Sequence, residues 1–264
     1  MKDERRRGTP VVINADDFGY GREVNAAIFE ASQKACISSA TLMANGPAIL
    51  EALNMAEQLP QLSFGIHLNL TEFAPLLPIH EMKAAGLVDS EGFFLGNAFR
   101  QLPPSPRLLQ ACYEELHQQL LSLHERGLRP SHLDSHHHIH TIPWLLPVVW
   151  QLQKKFKLFR IRNTLNVYPV APGQAPQLQL LAAKKIWQTV SILLGAKMTQ
   201  RFSALHVFIA NPLRTEFKTA SSIELMCHPG QFGFEAETQQ LLSKGQAILP
   251  PGFWLANYCD ILSA

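Results

Sequence analysis

The stretch VVINADDFGY, residues 11–20, opens with β-branched residues and ends in two carboxylates, an aromatic residue and a glycine. Its first three residues predict a short buried strand that ends in polar residues. The next four segments alternate between helix and strand, at 22–34, 38–43, 48–58 and 64–70. Alternation of this kind predicts parallel strands joined by crossover helices.

Two stretches rich in proline and glycine, residues 71–106 and 164–176, interrupt this alternation. Long loops of this kind in compact domains are usually lids or binding loops. The remaining segments are predicted as helices at 108–126, 144–156 and 177–194 and as strands at 132–135, 158–162, 204–209 and 223–227. Without internal repeats or an obvious linker, 264 residues indicate one α/β domain close to the size of one barrel.

The composition narrows the functional classes. A formal net charge of +2 is too small to indicate nucleic acid or an anionic membrane as partner. The basic N-terminus is followed by carboxylates instead of an apolar core, so we predict no secretory signal. The longest apolar runs, such as WLLPVVW, are too short to span a membrane. Four scattered cysteines without CxxC spacing indicate reduced thiols. We therefore expect a cytoplasmic protein.

Side chains able to do chemistry follow four of the predicted strands. Asp16 and Asp17 follow the first strand, His67 lies in the strand at 64–70, and His136 and His228 follow two later strands. In parallel α/β folds the active site lies at the carboxyl ends of the strands. The sequence thus predicts that these residues share one site.

The adjacent carboxylates Asp16 and Asp17 allow a division of labour. Neighbours on an extended chain point to opposite faces, but a bend at the strand end could bring both to one site. One could then bind a metal while the other holds a water as general base. The alternative is that one of them caps the following helix.

Four histidines occupy five positions between residues 136 and 140. On an extended segment His136, His138 and His140 would share one face, and imidazole is the commonest metal ligand. The cluster is too dense for every ring to coordinate, so we expect at most two ligands. Asp134 precedes the cluster and could orient an imidazole through its ring N–H. A polar loop with locally hydrogen-bonded histidines is the alternative.

His67 and His228 each have a second interpretation. His67 lies between apolar residues and could be a core residue with its hydrogen bonds satisfied, while His228 precedes a Pro-Gly turn and could simply be exposed. One aspartate and two histidines, however, form a metal site with open positions. A further aspartate as base and a further histidine as acid complete what hydrolysis of an amide or ester requires.

Five stretches together resemble the YdjC-like family of carbohydrate deacetylases. They are NADDFG (14–19), SATLMANGPA (39–48), GIHLNLT (65–71), HLDSHHHIH (132–140) and ELMCHPG (224–230). The resemblance spans nearly the whole chain, in the order found in the family. It implies a distorted TIM-like (β/α) barrel, and we expect a single domain over residues 1–264 with elaborated loops and a flexible N-terminus at 1–9.

The resemblance also implies a reaction and a cofactor. The family removes acetyl groups from N-acetylated sugars with one divalent metal, Mg²⁺ or Zn²⁺. By motif position, Asp17, His67 and His136 would be the metal ligands, Asp16 the base and His228 the acid. The histidine-rich motif is closer to the chitooligosaccharide branch than to the hopanoid branch. We predict a supporting or substrate-binding role for three further residues: Asp134, His138 and Arg162.

Three other functions remain open. A phosphoesterase on a similar barrel would use basic residues near the metal, for which Arg160 and Arg162 are the candidates. A sugar-binding or metal-binding module without catalysis would not need a base and an acid beside the metal. A glycosidase needs two carboxyl groups roughly 5 Å or more apart, which adjacent Asp16 and Asp17 do not readily provide. Assembly into a homodimer is compatible with the sequence.

Overall fold

The structure is a computed structural model that describes residues 8–168 and 178–261. Within these residues, seven strands form one parallel sheet with the order β4-β3-β2-β1-β6-β5, and β7 pairs with the first residues of β1. The strands are β1 (Thr9–Phe18), β2 (Ser39–Leu42), β3 (Ser63–Leu68), β4 (Leu133–Ser135), β5 (Arg201–Ala204), β6 (Ile223–Cys227) and β7 (Phe253–Leu255). The predicted parallel α/β arrangement is confirmed.

The sheet curls until its two edge strands contact the same connecting segment, residues 160–167. Leu133 in β4 accepts a hydrogen bond from the backbone of Arg162, and Val167 donates one to Phe202 in β5. Only isolated bridges are formed along this segment in place of a regular strand. The distorted TIM-like barrel is therefore confirmed, with one side of the barrel closed by irregular backbone.

Helices follow most strands and cover the outside of the sheet. They are α1 (Arg22–Gln33), α2 (Ile49–Ala56), α3 (Ile79–Ala85), α4 (Pro106–Glu125), α5 (Leu146–Phe156), α6 (Leu178–Leu193), α7 (Leu205–Ala210), α8 (Thr215–Lys218), α9 (Glu235–Lys244) and α10 (Tyr258–Ile261). The start of α4 shows how local sequence sets a boundary. Ser105 caps the helix by accepting from the backbone of Leu108, and Pro106 occupies the first turn, where it needs no N–H partner.

Two predicted strands differ from the structure. The predicted strand at 204–209 is wrong. The strand that pairs with β6 covers Arg201–Ala204, and the chain then continues as α7. Short apolar runs fit a buried helix as well as a strand, and burial of Leu205 and Phe208 is satisfied by the helix. The predicted strand at 158–162 is reduced to isolated bridges.

At the N-terminus, Thr9 already belongs to β1 and donates its backbone N–H to Gly252, so residue 9 is not part of a flexible segment. Residues 1–7 of the predicted flexible terminus lie outside the described residues, as do residues 169–176 of the second predicted loop.

The predicted long loop at 71–106, called here the excursion, is present. A side chain of α4 attaches it to the barrel. The excursion contains α3 and a 3₁₀ turn at Gly96–Gln101. The carboxylate of Glu115, which is fully buried in α4, accepts hydrogen bonds from the backbone N–H groups of Leu76 and Leu77 at 3.0 Å each. This contact fixes the first part of the excursion beside the ends of the strands. Across the described part of the chain, no helix is both long and apolar enough to cross a membrane.

Candidate metal centre and active site

The candidate site lies at the carboxyl ends of four parallel strands. Asp16 and Asp17 are among the last three residues of β1, and His67 is the penultimate residue of β3. His136 and His228 follow β4 and β6 directly. The curled sheet thus brings to one end of the barrel all five residues to which the sequence assigned metal binding or catalysis.

A β-bulge at the end of β1 brings both adjacent carboxylates into this site. The register between β1 and β2 shifts between Ala15 and Phe18, and Asp17 has a left-handed backbone with φ of 68°. Bulges next to active sites redirect side chains in this way. The bend explains how Asp16 and Asp17 can face the same region although they are neighbours in the chain.

Asp17, His67 and His136 form a compact cluster of metal-ligand atoms. Asp17 Oδ1 lies 3.2 Å from His67 Nε2 and 2.9 Å from His136 Nδ1, and all three side chains are buried. One ligand atom from each residue falls within 4.8 Å of the others. The three predicted ligands are therefore close enough to bind one ion together.

The cluster fits a divalent cation in both spacing and chemistry. Ligand atoms at bond lengths of about 2.1 Å around an octahedral ion are about 3 Å apart, and Asp17 Oδ1 lies 3.2 Å and 2.9 Å from the two imidazole nitrogens. Imidazole nitrogen and carboxylate oxygen are ligands that zinc and other divalent metals accept. Asp16, Asp17 and Asp134 are all buried here, and among the described residues Arg162 is the only arginine or lysine paired with any of them. A cation would offset part of this negative charge.

The imidazole of His67 is held between two carboxylates. Its Nδ1 lies 2.7 Å from Asp134 Oδ1 and 3.3 Å from Thr41 Oγ1, which leaves Nε2 directed at Asp17. Burial disfavours the charged ring, but the carboxylates of Asp134, Asp17 and Asp16 together outweigh this effect and raise the pKa of His67 to about 10. Asp134 thus orients an imidazole, and the imidazole is that of His67.

Asp16 is bound by a guanidinium. Arg162 donates through Nη1 and Nη2 to the two carboxylate oxygens at 2.7 Å each, and Asn14 Nδ2 donates to Asp16 Oδ1 at 2.8 Å. Burial would raise the pKa of Asp16, but the charge and hydrogen bonds of Arg162 outweigh burial and lower it. Asp16 therefore remains ionised, and it lies outside the three-residue cluster that contains Asp17.

Arg162 is fully buried and joins three strands through their carboxylates. Besides Asp16, it contacts Asp134 Oδ2 at 2.9 Å and donates through Nε to Glu224 Oε1 at 2.6 Å. Tyr258 donates its hydroxyl to the other Glu224 oxygen at 2.5 Å. These contacts favour the supporting role considered for Arg162 over the substrate-binding one, because the guanidinium is enclosed by carboxylates.

His228 lies at the edge of the site. Its Nε2 is 3.9 Å from Asp16 Oδ2, its backbone N–H donates to Glu237 at 2.8 Å, and its ring packs on Phe234. Its side chain is 18 % exposed, more than any of the cluster ligands. The geometry places a partly accessible imidazole beside the buried carboxylate of Asp16.

The histidine-rich segment does not adopt the extended conformation that the sequence suggested. Residues His136–Thr141 form a 3₁₀ segment in which His137 and His138 have left-handed backbones. The alternate rings consequently do not share one face. His138 contacts the ring edge of Phe202, and burial lowers its pKa to about 3, while His140 Nδ1 lies 2.5 Å from Ser135 Oγ. Only His136 belongs to the Asp17 cluster.

Two residues that the sequence analysis did not assign to the metal centre contact the cluster. Gln231 Nε2 donates to Asp17 Oδ2 at 3.1 Å, and Glu72 Oε1 lies 3.5 Å from His136 Nε2. Both come from loops that follow a recognised motif directly, at the ends of β3 and β6. Their position immediately after GIHLNLT and ELMCHPG is the signal that could have identified them.

The fold and the site together define an α/β barrel protein with a candidate metal centre at the carboxyl ends of its strands. A family model described as YdjC-like protein matches residues 10–247. The chain belongs to the YdjC-like family, and the predicted resemblance is confirmed.

Curated relatives of the chain carry the description carbohydrate deacetylase. The relative from Geobacillus stearothermophilus is 40 % identical over 153 residues, which cover 56 % of this chain and 57 % of that protein. The relative from Oceanobacillus iheyensis is 33 % identical over 223 residues, or 83 % of this chain and 85 % of that protein. The chain thus spans a little over half the length of the former and most of the latter.

Two solved structures share the fold. An Enterococcus faecalis protein, whose description proposes a role in cellobiose-phosphate cleavage, superposes with a TM-score of 0.75 at 26 % identity and covers 95 % of this chain and 98 % of its own. An uncharacterised Agrobacterium tumefaciens protein superposes with a TM-score of 0.51 at 11 % identity, over 95 % of this chain and 88 % of its own. The second likeness is one of fold alone.

Proposed function

We propose that this protein is a metal-dependent hydrolase that removes an acetyl group from an N-acetylated sugar or oligosaccharide, with a chitooligosaccharide-like substrate. The observation that carries the proposal is the cluster of Asp17, His67 and His136, with Asp16 and His228 beside it. The relatives described as carbohydrate deacetylases support the same reaction.

Asp17, His67 and His136 would hold the cation, either Mg²⁺ or Zn²⁺. When bound, a divalent cation polarises an acyl carbonyl and lowers the pKa of a water. Asp134 keeps His67 Nδ1 engaged, so that Nε2 stays available as a ligand. Arg162 and Asn14 hold Asp16 in one orientation at the base of the site.

Asp16 and His228 would move the protons. Asp16 is kept ionised by Arg162, so it can accept the proton of an attacking water. His228 Nε2, 3.9 Å from Asp16 Oδ2 and partly exposed, would deliver a proton to the departing nitrogen. The attacking oxygen bonds to the acyl carbon, the C–N bond breaks, and acetate and a free amine leave.

The test is acetate release from a panel of N-acetylglucosamine oligomers by the purified full chain. The protein is first chelated and then assayed with and without Mg²⁺ or Zn²⁺. We expect release that depends on the added metal and that varies with oligomer length. A protein that binds metal yet releases no acetate from any member of the panel would contradict the proposed reaction.

The phosphoesterase alternative is less well supported by the geometry, although the description of the Enterococcus protein mentions a sugar phosphate. A phosphoesterase needs cationic side chains that can reach the phosphate oxygens. Arg162 is enclosed and bound to three carboxylates, and Arg160 donates to the backbone carbonyl of Ser131. Phosphate release from cellobiose phosphate or glucose phosphates, measured with the same preparations, would favour this alternative.

We further propose four properties of the protein. They are the chitooligosaccharide branch in preference to the hopanoid branch, a single domain over residues 1–264, a cytoplasmic location and the option of a homodimer. The oligomer panel addresses the branch directly, because a hopanoid-specific enzyme would leave chitooligosaccharides uncleaved.

A further inference from the structure

The second nitrogen of the His136 ring has no hydrogen-bond partner. His136 Nε2 is buried, and its nearest carboxylate oxygen, Glu72 Oε1, lies 3.5 Å away. A buried ring nitrogen that is left unpaired costs free energy. The Nδ1 of the same ring faces Asp17 at 2.9 Å. The ring therefore has one nitrogen at the candidate metal centre and one directed at Glu72.

In His67 both ring nitrogens have a carboxylate partner. Its Nε2 faces Asp17 at 3.2 Å, and its Nδ1 lies 2.7 Å from the Asp134 carboxylate. Metal-binding histidines usually donate their other ring N–H to a carboxylate or carbonyl, which fixes the tautomer and the ring plane. The carboxylate behind His67 is buried, whereas the Glu72 side chain is 30 % exposed.

The backbone of Glu72 is held by the side chains of two asparagines, Asn69, which is buried, and Asn45, which is half-buried. Asn69 Oδ1 accepts from the Glu72 N–H at 3.1 Å, and Asn69 Nδ2 donates to the Glu72 carbonyl at 2.7 Å. Asn45 Nδ2 donates to the same carbonyl at 3.1 Å. Gln119 on α4 holds Asn69 in turn, through both its backbone N–H and its carbonyl. The backbone of Glu72 is consequently fixed although it lies in a loop.

These contacts also account for two motif residues that the proposed mechanism does not use. Asn45 belongs to SATLMANGPA and Asn69 to GIHLNLT, and neither is in the metal-ligand cluster. Asn69 Nδ2 additionally donates to Asn45 Oδ1 at 3.0 Å, which joins the two motifs. Both residues act on the same peptide units, those of Glu72. Their arrangement is what a fixed carboxylate behind His136 requires.

The geometry points to Glu72 as a positioning residue for the candidate metal centre: its carboxylate is the acceptor that His136 Nε2 faces, and a hydrogen bond between them would hold Nδ1 toward the cation. This inference rests on the proposed metal-binding role of His136. It assigns to Glu72 the function that Asp134 has for His67. In this arrangement the cation would lie at Nδ1 of His136 and the Glu72 carboxylate at Nε2 of the same ring.

The test measures Zn²⁺ affinity of the chelated full chain by competition with a chelating dye. We expect Glu72→Ala to weaken Zn²⁺ binding about 10- to 100-fold, as loss of such partners does elsewhere. Glu72→Gln should lie much closer to the parent, because its amide oxygen can still accept from His136 Nε2. Glu91→Ala removes an exposed carboxylate from the same excursion and should bind Zn²⁺ as the parent does.

The outcomes separate this inference from the proposed function. If the parent binds Zn²⁺ and Glu72→Ala binds it equally well, Glu72 does not position His136. A raised KM for the sugar at saturating Zn²⁺ with unchanged Zn²⁺ affinity would also overturn the inference, because it would identify Glu72 as a substrate contact. A parent protein that does not bind Zn²⁺ or Mg²⁺ would instead contradict the metal-dependent function itself. Equal melting temperatures of the metal-free variants exclude a merely structural cause.

Discussion

Arg162 binds the carboxylate of Asp16 through two parallel hydrogen bonds, each 2.7 Å long. The same guanidinium contacts Asp134 and Glu224, and it is fully buried. Removal of one partner from a buried ion pair is strongly destabilising, because the other charges are left unpaired. The integrity of the barrel end therefore depends on Arg162 before any question of catalysis arises.

We expect Arg162→Met to lower the free energy of unfolding by about 3–5 kcal/mol, the cost found when a buried ion pair loses one member. Urea denaturation followed by circular dichroism measures this change. Arg129→Met is the matched control, because Arg129 is exposed and makes long hydrogen bonds of 3.4–3.5 Å. Equal stability of the two variants would show that the carboxylates of the site do not need Arg162.

Asp16 and Asp17 should respond differently to substitution. Asp16→Asn keeps the Asp17, His67 and His136 cluster intact, so we expect bound metal to be retained while turnover falls about 10²- to 10⁴-fold through loss of the general base. Asp17→Ala should lose the metal, because Asp17 Oδ1 is the atom that both imidazoles face. Metal content by atomic emission and acetate release are measured on the same samples. Metal loss in Asp16→Asn would overturn this division of labour.

The Asp134→Asn variant tests whether Asp134 orients the imidazole of His67. The amide can no longer provide two anionic oxygens, one for His67 Nδ1 and one for Arg162. We expect metal affinity to fall about 10- to 100-fold, as for other partners of metal-binding histidines. Asp89→Asn, at an exposed turn, is the control for the change of charge. Unchanged affinity in Asp134→Asn would mean that Thr41 alone is enough to orient the ring.

The sequence predicts the elements of this fold best where local signals agree. The strand predicted at 223–227 has the observed bounds of β6, because an apolar run is followed immediately by a His-Pro-Gly turn. Prediction from the sequence fails where tertiary contacts determine the backbone conformation. The left-handed backbones of His137 and His138 have no local signature, so an extended segment appeared equally reasonable. The short apolar run at 204–209 fits either a strand or a helix.

In the candidate site, too, some residues could be placed from the sequence and others could not. Asp17, His67 and His136 could be placed near one another because they follow parallel strands, and strand ends meet at one edge. Glu72 could not be placed behind His136, because its position depends on the side chains of Asn45 and Asn69. The burial of Arg162 likewise depends on carboxylates from three separate strands.

Gly65 is required by the packing of His132. A Cβ on Gly65 would lie 2.4 Å from His132 Cε1, and Tyr258 stacks against the same imidazole with ring centroids 3.6 Å apart. The ring therefore has little room to move. We expect Gly65→Ala to lower the free energy of unfolding by about 1–3 kcal/mol, as overpacking of a core does. Gly21→Ala, where the atom nearest to the added Cβ is a Glu23 carboxylate oxygen at 3.7 Å, should be destabilised less than Gly65→Ala.

The four cysteines should differ sharply in reactivity toward a thiol reagent. Cys36, Cys112 and Cys227 are buried and unpaired, whereas Cys259 is exposed. Burial raises the pKa of Cys112 to about 12 and raises those of Cys36 and Cys227, so the reactive thiolates are suppressed. We expect one fast-reacting thiol per native chain and four after denaturation. Cys259→Ser should remove the fast phase, and a second fast thiol in that variant would contradict the burial.

The raised pKa of Cys112 predicts how the stability of the protein changes at alkaline pH. The pKa of Cys112 is about 12 in the folded protein against an ordinary value of 9.0, so the folded state holds this proton more tightly than the unfolded state. The resulting stabilisation is complete below about pH 8.5, the pKa of a free thiol, and is lost as the pH rises toward 12. Urea midpoints measured between pH 8 and 10.5 should fall less steeply in Cys112→Ala than in the parent. Parallel slopes would show that Cys112 does not contribute to the alkaline loss of stability.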